Sequence, residues 1–186
     1  MFEFTEGKFD VVVIGAGHAG VEAAAASAKL NKKTAMLTLN LDSIAFMACN
    51  PSIGGTAKGH LVLEIDALGG MMGKIADKAL LQIRMLNLGK GAAVHSLRGQ
   101  EDKNLYHTLM KKALEETDNL KIIQGEASEI LVEDGRVIGV KTAYGGILYA
   151  DAVIICSGVY LNGSVITGEW RKNSGPNGFQ PFQDQG

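Results

Sequence analysis

The sequence predicts an α/β fold: a parallel sheet with helices on its faces and a small antiparallel three-stranded piece. Three observations carry that reading. A strand without polar alternation, Phe9 to Ile14, runs straight into glycines and then into an alanine-rich helix. A second apolar strand, Thr34 to Leu39, follows soon after, so strand, helix and strand fit in about thirty residues as a βαβ unit with a right-handed crossover. The last third of the chain is a series of short strands broken by Asp-Gly and Gly-Gly turns.

Each element has a local cause. Val21 to Leu30 is helical because alanine dominates it, and Asn31-Lys32-Lys33 ends it with cations where the helix dipole favours them. Residues 40–57 read as a long irregular stretch around Asn50-Pro51 and Gly54-Gly55, the kind of loop that carries function. Lys58 to Leu68 reads as a helix with Leu61, Val62, Ile65 and Leu68 on one face, stopped by Gly69-Gly70. Lys74 to Leu80 is a second helix and Leu81 to Leu88 a strand. Glu101 to Glu116 is an amphipathic helix whose stripe is Leu105, Leu109, Ala113 and Leu114. Leu120 to Gln124 is a short strand. Ala127 to Glu133 and Arg136 to Ala143 form a hairpin on Asp134-Gly135, and Ile147 to Ala150 adds a third strand. Asp151 to Cys156 then returns as a buried strand ending in Ser157-Gly158. Residues 1–168 form the main domain, and 169–186 an irregular tail.

Composition narrows the function classes. The net charge of −2 argues against a uniformly basic nucleic-acid coat. Charge is uneven, however: residues 58–112 carry nine basic and five acidic side chains. No apolar run reaches the roughly 18–20 residues of a membrane span, and Glu3 and Glu6 precede the first apolar run, unlike a signal peptide. Two cysteines do not make a secreted scaffold, so a cytoplasmic protein with free thiols is expected. Glycine supplies 24 of 186 residues, well above the usual roughly 7%, which points to tight turns and close backbone approach.

The sharpest motif is Gly15-Ala16-Gly17-His18-Ala19-Gly20, a GxGxxG between strand and helix. Gly15 permits the turn, Gly17 lets a pyrophosphate approach the backbone, and Gly20 lets helix and strand pack closely. The phosphates then meet free amides at the helix N-terminus, so Ile14 to Gly20 is the expected cofactor cradle. The place of the usual ribose-binding acid holds Thr38, and no Asp or Glu lies between Lys29 and Leu41. Glu22 reads as a solvated helix charge, His18 as a residue of the turn, and Cys156 as packing. His60, His95 and His107 lack ligand spacing with either cysteine, so no metal is expected.

The antiparallel piece ahead of Ile154 to Gly158 resembles the glutathione-reductase type of Rossmann-like FAD-binding fold. That resemblance implies that Ser157 and Gly158 close over the dinucleotide and that backbone near Ala127 meets the adenine. A closer likeness lies in Met-Ala-Cys-Asn-Pro-Ser-Ile-Gly-Gly-Thr-Ala-Lys-Gly-His-Leu-Val from residue 47, followed by Glu-Ile-Asp-Ala-Leu-Gly-Gly. With Arg84-Met-Leu-Asn, Lys90-Gly91 and Ala93-Val-His-Ser-Leu-Arg98, it resembles the tRNA uridine 5-carboxymethylaminomethyl modification family, MnmG or glucose-inhibited division protein A. The likeness runs from about residue 9 to 178, and departs from the family at Ala92, usually Pro, and Gly99, usually Ala.

The resemblance implies FAD as cofactor, NADH and a methylene-folate in the intact protein, tRNA as substrate, the GTPase MnmE as partner, and a homodimer. It implies chains about three times this length, a multi-domain size, with further flavin, nicotinamide and C-terminal segments. Cys49 is then the expected catalytic thiolate, and Lys58, Arg84, Lys90 and Arg98 the expected tRNA contacts. Two other readings remain open at this point: a non-catalytic nucleotide- or tRNA-binding module, and another FAD-dependent oxidoreductase.

Overall fold

The computed structural model describes residues 2–48, 50–158, 161 and 163–173. β1 (Phe4–Ile14) feeds α1 (His18–Lys29), which returns the chain to β2 (Thr34–Thr38). β2 lies parallel to β1, with Val11 opposite Thr34 and Ile14 opposite Leu37. β1 starts at Phe4, earlier than its apolar run shows, because its polar first half still pairs with a neighbouring strand. Gly20, Val21, Ala24, Ala25 and Ala28 are the buried face of α1; such small side chains bring a helix close to a sheet.

The stretch after β2 is not wholly irregular. It contains a 3₁₀ turn, Leu41–Ser43, and β3 (Ser52–Gly54). Then come α2 (Lys58–Ala67), α3 (Met72–Lys78), β4 (Leu80–Leu86), β5 (Ser96–Glu101) and α4 (Lys103–Glu115). β3, β5 and β4 form a separate antiparallel sheet in that order. β5 is an element that apolar patterning misses, since Ser-Leu-Arg-Gly-Gln-Glu alternates nothing hydrophobic.

β6 (Leu120–Gln124), β7 (Ala127–Glu133), β8 (Arg136–Thr142) and β9 (Gly146–Ile155) complete the main sheet. Its order is β6-β2-β1-β9-β8-β7. The first four are parallel; β9, β8 and β7 are antiparallel. The expected three-stranded piece is therefore present, and continuous with the parallel strands. Ile147–Ala150 and Asp151–Cys156 are one strand rather than two. Its second half is less buried than expected: Ile155 is 59% exposed. β8 pairs with β9 only at Ile147 to Tyr149, so beyond that point β9 has β1 as its ladder partner among the described residues.

Helix faces also depart from expectation. Tyr106, Met110 and Leu114 are the buried residues of α4; of the expected stripe Leu114 is buried, Leu109 and Ala113 are partly buried against the core, and Leu105 lies exposed. In α2 no residue is fully buried; Leu61 and Leu68 face outward. β10 (Ser164–Thr167) and β11 (Trp170–Asn173) pair as a hairpin, so the stretch expected to be irregular from 169 opens with a strand. The rest of that tail, 174–186, lies outside the described residues.

Apolar residues pack on both faces of the main sheet. One cluster joins Val13 and Met36 to α1, α3 and α4; the other joins Val12, Leu37 and Ile123 to Val140 and Leu148. No helix among the described residues is long and apolar enough to cross a membrane.

Candidate functional site

A groove of about 790 Å³ opens at the carboxyl ends of β1, β2, β6 and β9, where the crossovers part to opposite sides of β1. That is where α/β sheets bind ligands. Ile14, Gly15, Ala16 and Gly17 form its floor. The three glycines sit in different surroundings. At Gly15, φ is +102° and an added Cβ would fall 2.3 Å from the Cys156 carbonyl oxygen. At Gly20 an added Cβ would fall 1.9 Å from the Gly15 carbonyl oxygen. At Gly17 it would meet nothing within 4 Å, because the residue faces the open groove as the N-cap of α1. Turn and packing explain the first two; a group approaching the backbone suits the third. Ala19 is exposed on the first turn of α1, whose amides lack intrahelical partners.

His18 lies half-buried behind this turn. Its Nε2 has no hydrogen-bond partner among the described residues, and its ring centroid is 5.8 Å from that of Tyr106. Burial, aided by the nearby Lys58 charge, depresses its pKa to about 4, so it is neutral at pH 7. It is no general acid as it stands.

Thr38 ends β2 at the groove, buried, and its hydroxyl donates to the Asn40 carbonyl at 3.3 Å. The chain around Asn40 is tightly held: its Oδ1 accepts from the Asp42 amide and its carbonyl accepts from Ser43 Oγ. From α4, His107 Nδ1 donates to the Ile44 carbonyl at 2.7 Å, and Lys111 lies 3.6 Å from Asp42. Asn40 and Ser43 line the groove and were not expected. An Asn followed by Leu-Asp-Ser is a turn-and-cap signal that would have found them.

On the far wall, Ala127 borders the groove with Glu126 and Gly125, whose amide donates to the Thr38 carbonyl. The hydroxyl of Tyr144 donates to the Gln124 carbonyl, tying the β8–β9 turn to this wall. Ser157 and Gly158 line the opposite side with Cys156, whose amide donates to the Ile14 carbonyl. Burial raises the Cys156 thiol pKa, as befits a packing residue. Cys49 lies outside the described residues; Ala48, beside it in sequence, lines the groove.

The basic residues fall in two groups. Arg84 and Arg98 sit directly opposite each other on β4 and β5, both exposed. Lys90 is exposed in the loop between those strands. Lys58, first residue of α2, donates to the Ser52 carbonyl at 2.9 Å. Glu22 is not a solvated charge: its carboxylate accepts from the amides of Met71 and Met72, holding the start of α3 against α1.

Sheet order, crossover and groove together define an α/β protein of the dinucleotide-binding fold class. The family model described as Glucose inhibited division protein A matches residues 10–184, and the chain belongs to that family. It is 57% identical over 179 residues to the tRNA uridine 5-carboxymethylaminomethyl modification enzyme MnmG of Alkaliphilus metalliredigens. That match takes in 96% of this chain and 28% of the relative, so the chain spans under a third of that protein's length. The solved structure of Aquifex aeolicus GidA superposes with a TM-score of 0.89 at 49% identity, over 94% of this chain and 29% of that one. A probable FAD-dependent monooxygenase, pqsL of Pseudomonas aeruginosa, shares the fold alone, with a TM-score of 0.55 at 10% identity. It is covered over 41% of its length, and this chain over 78%.

Proposed function

We propose that this chain is the FAD-binding portion of a tRNA-modifying enzyme that acts at C5 of the wobble uridine. The observation that carries the reading is the open backbone at Gly17, set in a groove at the ends of four parallel strands. The residues present fit a dinucleotide. Ile14 to Gly20 would hold the pyrophosphate, with the α1 amides as donors. Thr38 would face a ribose hydroxyl, backbone around Ala127 the adenine, and Ser157 and Gly158 the other side of the cofactor. Bound flavin would supply redox chemistry to the reaction.

The chain's own part in the chemistry falls to Cys49. Its thiolate would add to C6 of the uridine, forming a C–S bond and making C5 nucleophilic towards the methylene carbon of a methylene-folate. As the C5–C bond forms, a folate C–N bond to that carbon opens with the electron pair passing to the folate nitrogen. Proton loss from C5 then expels the thiolate and breaks the C–S bond. Lys58, Arg84, Lys90 and Arg98 would contact tRNA phosphates. The intact enzyme would use NADH, pair with the GTPase MnmE and form a homodimer in the cytoplasm.

Titrating FAD into the purified chain tests the cofactor reading. Saturable binding that Gly17→Val weakens at least about tenfold, or 1.4 kcal/mol, is expected, because valine would fill the cradle. Unchanged affinity in that variant would remove the assignment. In a full-length form carrying this segment, Cys49→Ser should abolish modification while flavin content and melting temperature stay near the parent's. Full modification by that variant would make the cysteine structural.

A further inference from the structure

A second cavity, about 330 Å³, lies between the α2–α3 pair and one face of the β3-β5-β4 sheet. Its size suits a small molecule. Strand alternation turns Ile83 and Met85 of β4, and Leu97 and Glu101 of β5, toward this side, away from Arg84 and Arg98. Its polar lining carries three carboxylates, Glu101, Asp66 and Asp77, beside His60, His95 and Ser96, and no Lys or Arg lines it.

Glu101 is the unusual member. It is 1% exposed, and neither carboxylate oxygen has a hydrogen-bond partner among the described residues. Burial raises its pKa above the usual carboxylate range. The nearby amides of Ile53 and of Glu101 itself, which approach the carboxylate without closing a hydrogen bond of ordinary geometry, pull the other way, as do the charges of Lys58 and Arg98, which lie outside the cavity lining. A buried carboxylate so placed gains most from a ligand that brings both positive charge and N–H donors. An anion would meet three carboxylates. A hard metal ion would need several converging oxygens, and no group of three metal-ligating side chains is found among the described residues. An ammonium head on a short alkyl chain satisfies both halves of the cavity: the head pairs with Glu101, and the chain lies against Ile83, Met85 and Leu97.

We propose that this cavity binds a small primary alkylammonium ion, with Glu101 as its counter-ion. The site is separate from the dinucleotide groove and does not depend on its assignment.

The test is a titration of the purified chain with n-butylammonium chloride, followed by ¹H–¹⁵N NMR at constant ionic strength. n-Butanol and sodium butyrate serve as neutral and anionic probes of matched length. Saturable shifts centred on the amides of Leu97, Gly99 and Glu101 are expected for butylammonium, with at least tenfold weaker binding of the other two. Glu101→Gln, nearly isosteric, should weaken butylammonium at least tenfold and leave butanol unchanged. Equal binding of butanol by the parent chain would overturn the proposal even if the variant failed to fold. So would unchanged butylammonium affinity in Glu101→Gln, or saturable shifts confined to Gly15–Gly17.

Discussion

β2 and β4 are both apolar strands, yet all five residues of β2 are buried and none of the seven in β4 is. β2 lies between two parallel neighbours, with apolar clusters on both faces of its sheet. β4 is an edge of a three-stranded sheet, with a cavity on one side and exposed arginines on the other. The six-stranded sheet is a scaffold whose side chains answer to one another. The smaller sheet is a surface: its two faces have different chemistries, one apolar and acidic, the other polar and basic. Packing defects should therefore be severe in the first region and mild in the second, while charge changes in the second should register in binding.

The largest effect is expected where scaffold backbone meets backbone. In Gly20→Val the added Cβ would overlap the Gly15 carbonyl, 1.9 Å away, so α1 could no longer lie against β1. A loss of about 4–5 kcal/mol or more is expected in urea unfolding, enough to unfold a typical domain. A native-like midpoint would mean that the helix can lift from the sheet without cost.

A paired truncation sharpens the contrast. Leu148 is fully buried and Ile83 is 51% exposed. Leu148→Ala should cost about 2–5 kcal/mol through lost burial and the cavity left behind. Ile83→Ala should cost less than about 1 kcal/mol, since much of that side chain already meets water. Equal losses would show that the small sheet is as tightly packed as the large one.

What sequence made legible follows the same division. β1, the glycine turn, α1 and β2 could be read because their causes are local: a buried apolar run, fixed glycine spacing and an alanine helix. The Asp134-Gly135 hairpin was legible for the same reason. The small sheet was not. β5 has no apolar period, and Glu101 looks like the first residue of a helix, whereas Asp102 is the cap and Glu101 ends the strand. In α4 the expected Leu114 is buried, but helical spacing fits 105–109–113 and 106–110–114 equally, and tertiary packing buried Tyr106 and Met110 while leaving Leu109 and Ala113 at the core's margin. Glu22 looked solvated because its partners, the amides of Met71 and Met72, are distant in sequence. In the groove, the residues of the glycine motif could be named beforehand, but Asn40, Ser43 and Tyr144 come together only through folding.

Acid should separate the regions by sign. The His18 pKa falls from 6.5 to about 4 in the fold, so its neutral form is favoured there. Its contribution is complete above pH 6.5 and is lost as pH falls towards 4, by up to about 3 kcal/mol. His18→Gln should flatten that part of the stability–pH curve. Glu101 works the other way: with its folded pKa raised above 4.5, its contribution is fullest below 4.5 and is lost as pH rises through the folded value. Glu101→Gln should remove that decline. Urea midpoints from pH 4 to 8 for both variants check the two signs, and the same slope in both would erase the distinction.

The smallest stability effect belongs to the arginine pair. Arg84 and Arg98 face each other across β4 and β5, and like charges directly opposite weaken a strand pair. Both are exposed, so solvent screens the repulsion. Arg84→Gln and Arg98→Gln should each raise stability by a few tenths of a kcal/mol at most. A fold that tolerates this repulsion so near its surface gains from an anion that bridges the two guanidinium groups. On the proposed tRNA reading, each variant should therefore weaken tRNA binding, and the slope of log K against log salt should flatten by about 0.7–0.9 for each phosphate no longer neutralised. The two measurements must move in opposite directions, stability slightly up and affinity down. If both fall together, the arginines hold the sheet rather than the nucleic acid, and the basic face of the small sheet loses its assigned role.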